Sequence, residues 1–188
     1  MNARQYQKAV SQGAVIHLLG DVEEKMIQSF REQLEKVSKN EGEIIITLRS
    51  SGGNKIETLS LIGEIQILAR ARIVWIVASG RIASMAVYIF CAVAKSHRLA
   101  FANTEIYCHR GILISEQKVS GFVEIHAYRV KEAKARHRNF IEQEKSFVKL
   151  VSQATGMKPK AVRDLLQNPR YLLPPEAKKL GFMDHVLK

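Results

Sequence analysis

Apolar residues fall along this chain in two rhythms. Ala14–Leu19 (AVIHLL), Glu43–Leu48 (EIIITL) and Ile73–Ala78 (IVWIVA) are short, nearly unbroken runs rich in β-branched residues, and they read as buried strands. Between them lie stretches with apolar positions three or four apart. Ile56, Leu59, Ile62, Ile65 and Leu68 make one such face, the stretch up to Ser38 makes another with Asp21 as its expected N-cap, and Ala83–Ala94 predicts a further apolar helix. This βαβα order favours a mostly parallel sheet with crossover helices. Two more short strands, His97–Phe101 and Glu105–His109, flank the turn Ala102-Asn103-Thr104.

Beyond them the rhythm becomes wholly helical. From about Ser120 to Thr155 there is no Pro, Gly occurs only at 121, and Glu, Lys, Arg and Ala are dense, which predicts one helix of roughly ten turns. Gly156 suits its C-cap, and Lys158–Leu166 predicts a short helix after it. Asn168-Pro169 and Pro174-Pro175 interrupt the chain before a last helix, Glu176–Leu180, and a terminal strand, Phe182–Leu187. No internal repeat or second core-sized unit appears. The expected organisation is a short extension, 1–13, followed by a single α/β domain, 14–188, with a long helix at about 118–155.

Composition narrows the class. The chain has 188 residues, 46% of them hydrophobic and 25% charged, which excludes disordered and fibrous classes. Its longest uncharged run, Ile82–Ala94, is 13 residues, below the roughly 18 of a membrane span, so no membrane association is expected. The first twenty residues lack a signal-peptide core, and a cytoplasmic location is the expectation. Cys91 and Cys108 make no CxxC pair and read as buried thiols. The formal charge is +11. Between Tyr128 and Lys149 seven Lys/Arg and three Glu interleave as on a solvated helix face, and Phe140 and Phe147 are spaced for packing; nucleic-acid binding is therefore disfavoured.

Three places carry candidate chemistry, all at strand or loop ends, where α/β folds put their sites. Ser51-Gly52-Gly53 joins a strand to a helix and leaves backbone N–H groups for an oxyanion or a phosphate, although P-loop spacing and its lysine are missing. Ser79-Gly80-Arg81-Ile82-Ala83-Ser84-Met85 leads from a strand through small residues into a helix and places Ser84 like the serine of a nucleophile elbow, without the GxSxG pattern. His109 ends the strand EIYCH, a position suited to a general base; His17, His97, His126, His137 and His185 lack that context. Each feature alone has a structural explanation: turn geometry, a helix-start serine, a surface histidine.

Together, Gly52-Gly53, Ala83-Ser84-Met85 and His109 resemble the ClpP family, the proteolytic subunit of the Clp protease, in order and spacing, with His109 lying 25 residues beyond Ser84 as in the family. Leu19-Gly20-Asp21-Val22 looks like the family's first strand exit, and Glu124-Ile125-His126-Ala127 sits where its handle helix begins. Pro175-Glu176-Ala177 and Leu180-Gly181-Phe182-Met183-Asp184 are similar to its C-terminal signature, so the resemblance covers 14–188. It implies a ClpP/crotonase-like fold: a repeated ββα core with a long protruding handle helix. It also implies a serine endopeptidase that cleaves peptides or unfolded proteins, without cofactor or metal. In that reading Ser84 attacks, His109 carries the proton, and the N–H groups of Gly53 and Met85 hold the oxyanion. Gly52, Gly111 and Ile112 touch the substrate backbone. Family members form seven-membered rings, stacked in pairs through the handle helices around a chamber.

The departures define the alternatives. Counting back from Pro175-Glu176-Ala177, the family's catalytic aspartate falls at Pro169, or at Asn168 if the loop shifts by one; Asn168 is the candidate to orient His109, and Asp164 is the nearest acid upstream. Ser51, Ala86 and Arg110-Gly111 replace family residues, and Gly111–Gly121 lacks the family's paired glycines. About 13 residues precede the first strand, which is read as too few for the family's gating loop and its adjoining helix. Peptidase action without normal ATPase gating is the expectation, and docking of a Clp ATPase is left open. A catalytically weak or silent ring subunit, and an acyl-CoA enzyme of the crotonase type, are the competing readings.

Overall fold

The computed structural model describes residues 3–11, 14–37, 42–109 and 123–187. In chain order these form α1 (Ala3–Ser11), β1 (Val15–Leu19), α2 (Glu24–Val37), β2 (Ile44–Ser50), α3 (Lys55–Ala71), β3 (Val74–Ala83), α4 (Met85–Phe90), a 3₁₀ turn (Lys95–His97), β4 (Arg98–Phe101), β5 (Glu105–Tyr107), α5 (Val123–Thr155), α6 (Pro159–Gln167), β6 (Tyr171–Leu172), α7 (Pro174–Lys179) and β7 (His185–Leu187). The sheet runs β1-β2-β3-β4-β7 with every pair parallel, as the alternation of strand and helix predicts. β5 joins β3 in parallel, and β6 lies antiparallel to β5.

β3 is longer than its apolar run. Ser79-Gly80-Arg81 reads as a turn in the sequence, yet the strand continues through it to Ala83. The physical reason is a change of partner: Ile76–Ala78 pair with β4, and Arg81–Ala83 pair with β5. Gly80 takes a positive φ of 61° at the changeover. The buried hydroxyl of Thr104 donates to the Ala78 carbonyl at 3.0 Å, occupying an acceptor where the ladder changes hands.

Both faces of the sheet are covered, which is why β2 reads as a continuous apolar run. Ile44, Ile46 and Leu48 face the main core, shared with α2, α4, α6 and the C-terminal part of α5. Ile45, Val77, Leu99 and Leu187 face the other way, with Tyr6, Val15, Trp75 and Phe101 packed around them. Tyr6 belongs to α1 and meets Phe101 edge-on at 5.6 Å. The N-terminal extension is helical over Ala3–Ser11 and packs on this second face through Tyr6.

Helix boundaries moved for local reasons. Asp21 does not cap α2, because Val22 next to it bridges Gly53 and delays the helix to Glu24. Asn54 caps α3, its Oδ1 accepting from the Ile56 N–H at 2.7 Å and the Glu57 N–H at 3.3 Å. In α3 the buried positions are Thr58, Leu61, Ile62 and Ile65, while Ile56 and Leu59 are exposed; the apolar spacing marked the helix but not the whole of its inward face. α4 stops at Phe90, shorter than Ala83–Ala94. α5 is described from Val123 onward, and the earlier part of its expected span lies outside the described residues. Phe147, Val148 and Val151 bury one face of its C-terminal half.

One buried cation fastens that half. Arg98, 2% exposed, donates from Nε to Val93 O at 3.0 Å, from Nη1 to Phe182 O at 3.0 Å and from Nη2 to Ala154 O at 2.6 Å. Ala154 lies in the last turn of α5, whose carbonyls lack partners within the helix and carry the negative end of its dipole.

Candidate active site

The site is built at the junction of β3 and α4. Ser84 follows the last residue of β3, precedes the first of α4, and has φ 50° and ψ −124°. Among the described residues it is the one non-glycine with positive φ. Such a backbone costs of order 1–3 kcal/mol and persists when its surroundings enforce it. The Ser84 N–H donates to Tyr107 O at 3.1 Å, and its carbonyl accepts from the Val87 N–H at 3.1 Å. The serine is thus tied to β5 on one side and to α4 on the other.

The two glycines divide their tasks. Gly52 is buried, with φ 105°. Its N–H donates to Ser50 Oγ at 3.1 Å and its carbonyl accepts from the Val22 N–H at 2.8 Å. A Cβ on Gly52 would stand 2.7 Å from Ser84 Cβ and 2.9 Å from the Met85 nitrogen. The turn therefore lies directly against the serine, and Gly52 makes that approach possible. Gly53 bridges Val22 in parallel through its neighbours: Asn54 N–H donates to Val22 O at 2.7 Å, and Gly52 O accepts as above. Its own N–H is turned away from β1's exit, and among the described residues neither it nor the Met85 N–H has a hydrogen-bond partner.

Ser84, Met85, Gly53 and His109 line one cleft of about 540 Å³. His109 lies two residues past β5, half-buried, with its ring 5.5 Å from that of Tyr107. The remaining walls are mostly apolar, from Leu59, Tyr88, Phe140, Phe147, Leu150 and Leu166, with Lys55, Gln143, Glu144 and Ser146 as their polar members. Tyr88 packs edge-on against Phe147 with ring centroids 4.0 Å apart, and burial raises its phenol well above the ordinary value. Burial likewise raises the thiol of Cys108, the residue before His109. It stays a thiol at neutral pH, which leaves the half-buried Ser84 as the candidate nucleophile of the cleft.

Asn168 is elsewhere. It caps α6 at its C-terminal end, is exposed, and turns its Nδ2 toward Asp164 O at 3.4 Å, while its N–H donates to the same carbonyl at 3.0 Å. It does not line the cleft with Ser84 and His109. Asp164 is exposed on the same helix. Gly111 and Ile112 lie outside the described residues. The contribution of α5 to the cleft was missed in the sequence, although Phe140, Gln143, Glu144 and Phe147 stand at i, i+3, i+4 and i+7, the spacing of one helical face.

Ser84 thus has a positive φ at a strand-to-helix turn and is seated on a diglycine turn beside a mostly parallel sheet, the placement of a nucleophile elbow. The chain belongs to the Clp protease family, whose profile matches residues 2–188. Among solved structures it is similar to ClpP1 from Listeria monocytogenes, determined as an asparagine-to-aspartate mutant: TM-score 0.75, 20% sequence identity, with 97% of this chain and 96% of that chain covered. That likeness carries the fold. Among the described residues no helix is long and apolar enough to cross a membrane.

Proposed function

We propose that the protein is a ClpP-like serine endopeptidase that cleaves peptides or unfolded proteins within a ring-shaped chamber, with α5 as the handle through which two seven-membered rings stack. The observation that carries this reading is the positive-φ Ser84 in one cleft with His109 and with Gly53 and Met85, whose backbone N–H groups have no hydrogen-bond partner among the described residues. Ser84 Oγ attacks the scissile carbonyl as its proton passes to His109. The tetrahedral oxyanion is held by the N–H groups of Gly53 and Met85, and His109 then gives the proton to the leaving amine. Water repeats the sequence on the acyl-enzyme. The apolar walls suit an extended peptide with a large apolar side chain beside the scissile bond.

A second reading, a weakly active or silent ring subunit, is favoured by the position of Asn168 outside the cleft. A fluorophosphonate probe separates the two. Stoichiometric labelling that maps to Ser84 and vanishes in Ser84→Ala is expected. Absence of labelling in a folded, assembled wild type would overturn the peptidase and leave the silent subunit.

A further inference from the structure

Of the two serines that precede the diglycine, Ser51 is exposed and Ser50 is 3% exposed. Ser50 is the last residue of β2. The register between β2 and β3 shifts after Leu48, and Ser50 comes to stand opposite Ile82, close in sequence to Ser84. Its hydroxyl closes on Gly52 from both sides: Oγ accepts from the Gly52 N–H at 3.1 Å and donates to the Gly52 carbonyl at 3.4 Å. The Gly52 carbonyl and the Gly53 N–H belong to one planar trans peptide and point in opposite directions. The carbonyl is held toward β1's exit by the Val22 N–H at 2.8 Å and by Ser50. The Gly53 N–H is thereby turned the other way, and Gly53 lines the cleft with Ser84.

We propose that Ser50 is the positioning residue of the oxyanion donor, aiming the Gly53 N–H by holding the peptides on both sides of Gly52. The inference rests on the reading of Gly53 and Met85 as the oxyanion hole of Ser84. The peptide between Gly52 and Gly53 joins two residues without a Cβ, at φ 105° and 147°, and sterics alone leave its orientation free. The clamp removes that freedom before substrate arrives, and a donor fixed in advance is what makes an oxyanion hole effective. Val22 acts through its backbone, whatever side chain it carries. Ser50 acts through its hydroxyl and is the part of the clamp that the sequence specifies. Without that hydroxyl the N–H of the buried Gly52 loses its partner, and the turn has to move to satisfy it.

The test compares Ser50→Ala, which deletes the hydroxyl, with Ser50→Thr, which keeps one. Both are read by kcat and KM on a fluorogenic peptide, by the rate of fluorophosphonate labelling of Ser84, and by crystal structures, which show where the Gly52 carbonyl points whether or not the protein is active. Ser50→Ala is expected to turn the Gly52–Gly53 peptide away from Val22 or to populate two orientations. It is also expected to lower kcat and labelling by about tenfold or more with KM within about twofold, because an oxyanion donor acts on the transition state. Ser50→Thr is expected to keep the wild-type orientation and to recover most of both rates. An unmoved peptide in Ser50→Ala, or unchanged kcat in that variant, would overturn the proposal. So would a Ser50→Thr protein that keeps the orientation and is as slow as Ser50→Ala. If wild-type Ser84 fails to label, the peptidase reading falls by itself, and the peptide orientation in Ser50→Ala still decides what Ser50 holds.

Discussion

Gly52 owes its identity to Ser84. Its φ of 105° disfavours any side chain, and a Cβ would press on Ser84 Cβ at 2.7 Å and on the backbone of Ala83 and Met85. Gly52→Ala must therefore displace the serine or the turn. A displacement of about 1 Å is expected to lower kcat/KM by about a hundredfold. Gly63→Ala is the control: its Cβ meets nothing within 4 Å in the middle of α3, and it is expected to be neutral or to stabilise the fold by up to about 1 kcal/mol. Peptide hydrolysis and urea denaturation of the two variants check both statements. At this scale the sequence carried far. Ser84, Met85, Gly53 and His109, singled out by type and spacing, stand around one cleft. They come together because β2, β3 and β5 end side by side in the sheet and the residues follow those ends within a few positions. Asn168 ends a helix before a proline, and where its amide points depends on a loop path that no local pattern encodes.

Among the elements, α5 does two things at once. Side chains at 134, 135, 138 and 139 are exposed, whereas Phe147 is 5% exposed against Tyr88 and lines the cleft. Phe147→Ala is expected to cost about 3–5 kcal/mol in unfolding free energy, the range for deleting a buried aromatic ring. It should also raise KM for peptides with a large apolar side chain beside the scissile bond. Denaturant titration and a substrate series measure the two effects. The existence and order of the main elements were readable from periodicity, because strands buried on both faces and amphipathic helices leave different rhythms. The extension of β3 through Ser79-Gly80-Arg81 and the two-residue β6 were not, since both exist by virtue of β5, a partner distant in sequence. Nor was α1, whose packing on Phe101 is a tertiary contact.

For the whole molecule, the +11 charge is less free than its sum suggests. From Ile65 to Arg98 the chain has five Lys/Arg and no acid, yet Arg81 pairs with Glu105, Lys95 pairs with Asp184 at 3.2 Å, and Arg98 and Arg72 donate hydrogen bonds to backbone carbonyls. Acids from distant segments offset part of the local excess, and main-chain oxygens solvate Arg72 and Arg98. Stability at high pH follows from the buried thiols. Burial raises Cys91 from 9.0 to about 11, and moves Cys108 in the same direction. The unfolded chain releases these protons before the folded one does, so stability is full below about pH 9 and declines as pH rises toward 11. Cys91 accounts for about 3 kcal/mol of that fall. Urea denaturation at pH 7 and pH 10.5 is expected to show the loss, and Cys91→Ala to reduce it; equal stability at the two pH values would contradict it.

The clasp of Arg98 also sets how the molecule can come apart. Its guanidinium joins the end of α4's connection at Val93, the last turn of α5 at Ala154 and the approach to β7 at Phe182. Releasing any one of these segments strands a buried positive charge beside the other two, which costs far more than the bond itself. Segments separated by as many as 84 positions in the chain are therefore bound to open together or not at all. The anchored end of the long helix therefore belongs to one cooperative unit with the approach to β7 and the segment after α4.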